Sequence, residues 1–316
     1  MNTHASRTLI VAAFAAVYTV WGSTYLAIRV AVESLPPFFA GGARFIIAGL
    51  ALLTVLKMRG TPMPTAQQWK HAAVTGTLLL VGGNGLVMWA EKTVPSGVTA
   101  LLIALTPVWF AVLDWARPSG VRPRLKTVAG IIVGFVGIVV LVTVRNTGAQ
   151  GVGHWLGPAA LIVAGAFWAS GSLYSKYNPN AGSPWMNSAA QMICGGAGLL
   201  ALGVFLGEPF ATQWTGITAR SLVALGYLIV FGSWIGYSAY IYLLKHCKPS
   251  TVSTYAYVNP VIAMFLGWLI LGETFSAGML WGAGVVLAGV VIITLPDAVS
   301  QPVVRSVRSQ VARLLA

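Results

Sequence analysis

The chain has 316 residues, of which 57% are apolar and only 8% charged, with a mean hydropathy of +0.80. A soluble domain is about 25% charged, so this chain cannot cover a water-facing surface and takes lipid as its solvent. Its net charge of +13 does not point to nucleic acid, because the basic residues fall between apolar runs and form no stripe on a soluble fold.

Apolar runs separated by Gly, Pro and charge predict ten helices, near 9–31, 38–56, 72–90, 96–115, 127–144, 156–175, 185–207, 221–244, 250–271 and 278–295. About 20 apolar residues cross the ~30 Å hydrocarbon core. The segments lack the alternation of a barrel, so helices that satisfy their own backbone are expected. Ala12 to Ala16 resembles a small-residue cleavage site, yet the apolar stretch after Arg7 runs past it, which argues against a cleaved leader. Cys194 falls in a span and Cys247 in a short loop, so no disulfide framework is implied.

The first span carries VWGSTYLAIR (20–29), with Trp21 and Ser23 as candidates to line a cavity. The second holds Arg44, the most clearly intramembrane charge; it would hold a substrate carboxylate or be structural, snorkelling or bonding carbonyls at helix ends. In the third, Asn84 lies within GGNG (82–85), either in a cavity or bonding across a helix pair; Trp89 follows nearer the span end. The fourth contains Pro107, a kink or hinge, beside Trp109. The fifth and tenth carry Gly130-xxx-Gly134 and Gly278-xxx-Gly282, expected to pack within one chain, with a dimer face as the alternative.

The sixth span reads FWASGSLYSK (167–176), adding Trp168 and Ser170 as cavity candidates, and the seventh holds Gln191. Tyr237 and Tyr240 in the eighth and Tyr255 in the ninth offer rings with hydroxyl handles; Tyr237 is taken into the candidate site. In the ninth, Asn259 precedes Pro260, a second hinge or kink and the counterpart of Pro107. Beyond the last span, Val304, Val307, Val311 and Leu314 share one face of a predicted interfacial helix with arginines off that face.

The halves repeat. VWGSTYLAIR aligns with FWASGSLYSK, placing Trp21 on Trp168, Ser23 on Ser170 and Arg29 on Lys176; LTPVWFAVL (105–113) matches VNPVIAMFL (258–266). The predicted organisation is an all-α integral membrane fold of two five-helix repeats, 1–145 and 146–296, followed by a basic tail, 297–316. An odd number of spans per repeat makes the second copy enter the membrane from the opposite face. Of the 19 Lys and Arg, 14 fall on the side of the N-terminus. That bias makes this side, with both termini, cytoplasmic.

These motifs resemble the EamA-type ten-helix group of the drug/metabolite transporter superfamily. The likeness rests on WGSTYLAIR, the ARF of Ala43–Phe45, TP at 106–107, NP at 259–260 and the LGE of Leu271–Glu273, and covers about residues 9 to 295. One departure is LDWARPSG, where the first half should have an LGE. The resemblance implies a multi-pass secondary transporter of the inner membrane, commonly an exporter of amino acids or related metabolites.

No acid is predicted at mid-membrane, Glu91 and Asp114 lying at span ends, which favours uniport or exchange over a proton relay through a buried carboxylate. A proton-coupled exporter of broad specificity is the alternative. An intramembrane enzyme lacks a ligand or nucleophile constellation, and a channel lacks a filter or ring of charge. No metal, cofactor or nucleic acid is expected. The partners are lipid and a small neutral or zwitterionic substrate, such as an apolar or aromatic amino acid, with the chain a monomer and a dimer left open.

Overall fold

A computed structural model of the protein describes residues 7–117, 125–146, 155–178, 183–247 and 249–294. Every regular element among them is a helix. Seven helices are long and apolar enough to cross a membrane. They are α1 (Arg7–Ala31), α2 (Pro37–Met58), α3 (Ala66–Ala90), α4 (Ser96–Trp115), α6 (Leu156–Tyr177), α7 (Pro184–Phe205) and α8 (Ala219–His246). Shorter apolar stretches lie in α5 (Leu125–Asn146), α9 (Tyr255–Leu271) and α10 (Ala277–Thr294). The predicted tail helix lies outside the described residues.

Boundaries follow local chemistry. Proline opens α2 at Pro37 and α7 at Pro184, where the missing N–H costs no helical bond. The third helix starts at Ala66, six residues before the sequence boundary, because a capping box extends it: Gln68 N–H donates to Thr65 Oγ1 at 3.3 Å and Thr65 N–H to Gln68 Oε1 at 2.8 Å.

Two L-G-E corners end helices by one device. Gly207 and Gly272 follow α7 and α9 with φ +74° and +65°, the left-handed conformation that favours glycine. Each freed glutamate then caps a helix of the other half. Glu208 accepts from Phe38 N–H (3.2 Å) and Phe39 N–H (2.8 Å) at the start of α2. Glu273 accepts from Ser96 N–H and Oγ (2.8 and 2.9 Å) and Gly97 N–H (3.3 Å) at the start of α4.

Three helices are irregular. In α4 the helix breaks at Ala104–Leu105. Pro107 cannot donate to the Ile103 carbonyl, and the Thr106 hydroxyl takes that carbonyl at 2.6 Å instead. Pro260, by contrast, sits inside a continuous α9, which starts at Tyr255, five residues after the sequence boundary and behind a single turn at Pro249–Val252. In α3 and α8, equivalent stretches adopt π-helical winding: Thr77–Gly85 and Leu228–Tyr237.

Helix pairs close through glycine. A methyl group on Gly289 of α10 would lie 2.5 Å from the Gly134 backbone of α5, and one on Gly137 would lie 2.6 Å from the Val286 backbone. Gly130 and Gly134 of α5 and Gly282 of α10 thus lie in contacts within the chain, through Gly289 and Gly137. Likewise Gly42 of α2 approaches Leu200 of α7, and Gly196 of α7 approaches Ile46 of α2.

Side-chain bonds sort the loops into two ends. At one, the Arg29 guanidinium bonds the Glu91 carbonyl, and Thr218 N–H bonds Ser34 Oγ at 3.2 Å; the Glu208 and Glu273 caps belong here too. At the other, His71 Nδ1 lies 2.8 Å from the Tyr174 hydroxyl, and Lys176 Nζ donates to the Leu244 and Cys247 carbonyls at 3.1 and 3.0 Å. Arg29 and Lys176, paired in the sequence alignment, each satisfy carbonyls at the C-terminal end of the third helix of their own half, α3 and α8. Both thus hold backbone carbonyls at span ends. The first half's LDWARPSG departs from the L-G-E pattern in a different way: Asp114 pairs with Arg117 at 2.6 Å and accepts from the Tyr177 hydroxyl at 3.1 Å.

Candidate functional site

Between the halves lies a cavity of about 50 Å³, lined from α1, α2, α3 and α4 of the first half and from α6, α8 and α9 of the second. A buried water needs ~10–15 Å³ of such volume, so the space has room for only a few waters.

Two tryptophans form its floor. Trp21 and Trp168 meet edge to face, with ring centroids 5.4 Å apart at 80°. Tyr240 lies 4.9 Å from Trp21 and 5.3 Å from Trp168, and Tyr255 lies 5.5 Å from Trp21. Their polar edges are bonded: Trp21 Nε1 donates to the Gly232 carbonyl (3.3 Å), and Trp168 Nε1 to the Tyr240 hydroxyl (3.0 Å).

The π-helical segments seat these rings. Added methyls on Gly236 and Gly83 would fall 2.5 Å from the Trp21 ring nitrogen and 2.9 Å from the Trp168 ring. Each indole therefore rests on a glycine in the π-segment of the opposite half. π-helical irregularities are frequent at functional sites.

The polar side of the cavity is built around Arg44. It is 2% exposed, its Nε donates to Ser233 Oγ at 2.6 Å, and its Nη1 lies 3.4 Å from Asn84 Oδ1. Among the described residues it is the one charged side chain in the lining. A planar fork with donors beyond those two bonds suits a carboxylate. Tyr237, also in the lining, donates its hydroxyl to Gln191 Oε1 at 2.8 Å.

Of the sequence candidates, Trp21, Arg44, Asn84, Trp168 and Tyr237 line the cavity. Ser23, Trp89, Trp109, Ser170 and Asn259 do not. The reason for the serines is helical phase. The lining face of α1 is Trp21, Thr24, Tyr25 and Ile28, spaced i, i+3, i+4, i+7, and Ser23 points off it to Tyr227 (2.6 Å) and the Val20 carbonyl (2.7 Å). Ser170 bonds its own helix at the Ala166 carbonyl (2.8 Å), while Ser172, a turn beyond Trp168, reaches Tyr240 at 2.7 Å.

Trp89 is 37% exposed on the outer surface, where amphipathic rings anchor at the membrane interface. Trp109 packs beside Gly165 in a small cluster with Phe110, Ala169 and Leu173. Asn259 is 2% exposed, and neither polar atom of its side chain has a partner among the described residues. Pro107 is buried at the break in α4.

Thr24, within VWGSTYLAIR, lines the cavity too, and the residues the sequence reading passed over are Tyr25, Ile28, Phe45, Val87, Ile103, Ala164 and Gly232. The i, i+3, i+4, i+7 face counted from Trp21 would have found Tyr25 and Ile28. Glu91 lies at a helix end, as expected, yet it is 0% exposed.

Apolar helices of spanning length around a ring-lined cavity fit a multi-pass membrane transporter. The chain belongs to the EamA-like transporter family, whose model matches residues 8–143 and 155–295. It is 38% identical to the Escherichia coli protein named "Uncharacterized inner membrane transporter YedA", over 89% of each chain, which agrees with a multi-pass location in the inner membrane. It is also 28% identical to the "Probable terminal-alkyne amino-acid exporter" of Streptantibioticus cattleyicolor, over 89% of this chain and 93% of that one. A crystal structure of an 18% identical protein shares the fold with a TM-score of 0.66, over 91% of this chain and 98% of the other.

Proposed function

We propose that the protein is a ten-span secondary transporter of two inverted five-helix repeats with cytoplasmic termini, exporting amino acids or related small metabolites by alternating access. Two segments matching one family model, 8–143 and 155–295, support the repeat. So do the paired π-segments and the crossed seating of Trp21 and Trp168. Related halves in opposite orientations have two conformations of similar energy, with the site at their interface.

The observation carrying the substrate class is Arg44, a buried cation in an otherwise uncharged, ring-lined cavity. It would hold a carboxylate while the Trp21–Trp168 floor packs against an apolar or aromatic part. The exporter relative named for an amino acid lends weight to this reading. No acid lines the cavity among the described residues, so the substrate path has no carboxylate to relay a proton, and uniport or exchange is the mechanism proposed.

Purified protein in liposomes loaded with unlabelled amino acid should take up labelled apolar or aromatic amino acids by counterflow. Arg44→Gln should raise the half-saturating concentration by about tenfold, the equivalent of ~1.4 kcal/mol. Counterflow with none of a full amino-acid panel would overturn the substrate class.

A further inference from the structure

Glu91, the residue after α3, is unaccounted for by the cavity. It is wholly buried, and neither carboxyl oxygen has a hydrogen-bond partner among the described residues. Its backbone is fully engaged: the N–H donates to the Val87 carbonyl at 3.0 Å, and the carbonyl accepts from Arg29. Val87 lines the cavity, so Glu91 lies one helical turn beyond that wall, at the loop end of α3.

The charged and titratable groups around it come from every neighbouring element. They are Arg29 and Tyr25 of α1, Arg44 of α2 and Glu273 of the α9–α10 connection; Lys92, the next residue, is exposed. Neither cation bonds the carboxyl: Arg29 donates to the Glu91 carbonyl, and Arg44 to Ser233 and Asn84. Glu273 is held by Ser96 and Gly97. An ionised carboxylate with no partner in a dry site costs several kcal/mol, so the group neutralises instead. Burial first, then the like charge of Glu273, pushes the Glu91 carboxyl well above the ordinary carboxylate range, against the pull of Arg29 and Arg44.

We propose that Glu91 is a proton-binding site that controls the cavity at its own end, taking up one proton as that end closes and releasing it as the end opens. Opening parts the end of α3 from α1, α2 and α4 and admits water, which stabilises the carboxylate. The carboxyl O–H bond breaks as the proton passes to that water; on closing it re-forms. The proton enters and leaves at one end, so it shifts the balance of conformations without driving transport. The inference rests on the alternating-access reading above.

The test is the reaction of Val87→Cys, in a Cys194→Ser, Cys247→Ser background, with a membrane-impermeant maleimide added outside spheroplasts. Gln213→Cys, exposed at the same end, corrects for thiol chemistry. It also reports sidedness: if it reacts only in inside-out vesicles, the same series is run there. The corrected rate is expected to rise about tenfold between roughly pH 5 and 9, one bound proton being worth up to tenfold per pH unit inside its window. Glu91→Gln should hold the rate low and flat.

A flat corrected rate without the Glu91 substitution, or an equal rise in Glu91→Gln, overturns the proposal. If Glu91→Gln is not monodisperse, the corrected rate in the chain retaining Glu91 decides alone. Val87→Cys that stays unreactive at every pH from both faces removes alternating access itself, and the inference with it.

Discussion

Glu208 and Glu273 show how a single carboxylate ties one half of the chain to the other. Each satisfies backbone N–H groups that the first turn of a helix leaves without partners. Losing a cap costs about 0.5–2 kcal/mol, so Glu273→Ala should lower the melting temperature of the purified protein while Glu273→Gln, which keeps an acceptor, loses less. Equal losses in both would mean that charge, and not the hydrogen bonds, matters there. At the cavity floor, Trp168→Ala should slow counterflow about tenfold, ~1.4 kcal/mol in the barrier, with the elution profile of a folded protein, because its ring borders open space and less packing is lost. Unchanged kinetics would take Trp168 out of the site.

At the scale of elements, close backbone approach decides which glycines matter. Gly289 of α10 meets the backbone of Gly134 of α5, whereas Gly284, on the same helix, has nothing within 4 Å of an added methyl. Backbone cannot swing aside as a flexible side chain can, and overpacking typically costs about 1–3 kcal/mol. Gly289→Ala should therefore destabilise the protein by that order while Gly284→Ala changes nothing, compared by thermal unfolding in detergent. The π-segments make a related prediction. Gly236→Ala presses on the Trp21 indole, so tryptophan emission should shift and counterflow should fall; an unaltered spectrum would show that the ring is free to move.

Across the whole molecule, Glu91 couples stability to pH. Its folded carboxyl holds a proton above the unfolded carboxylate range, so the folded state binds more protons in that window. Its contribution is full below 4.5, the ordinary value for a glutamate, and is lost as pH rises through the raised folded value. The melting temperature should thus fall with rising pH across that window, and the slope should flatten in Glu91→Gln. A slope unaffected by the substitution would assign it to other groups.

What the sequence by itself determined is the solvent, the class of elements and the kinship. A chain with 8% charge has no stable exposure to water, and apolar runs of spanning length leave the backbone no choice but helix. Motifs such as WGSTYLAIR and LGE carry the family likeness, which the matching family model bears out. Part of the cavity lining was legible too, since Trp21, Trp168, Asn84, Arg44 and Tyr237 are unusual residues for a lipid-facing helix. Only the tertiary structure decided the rest. In lipid the hydrophobic pattern no longer marks the inner face of a helix, so sequence could not tell Thr24, which lines the cavity, from Ser23, which does not. Nor could it show that Glu91, at the end of a span, is sealed from water by helices distant in sequence. Whether a polar group at a span end is wet or dry is a property of what packs over it.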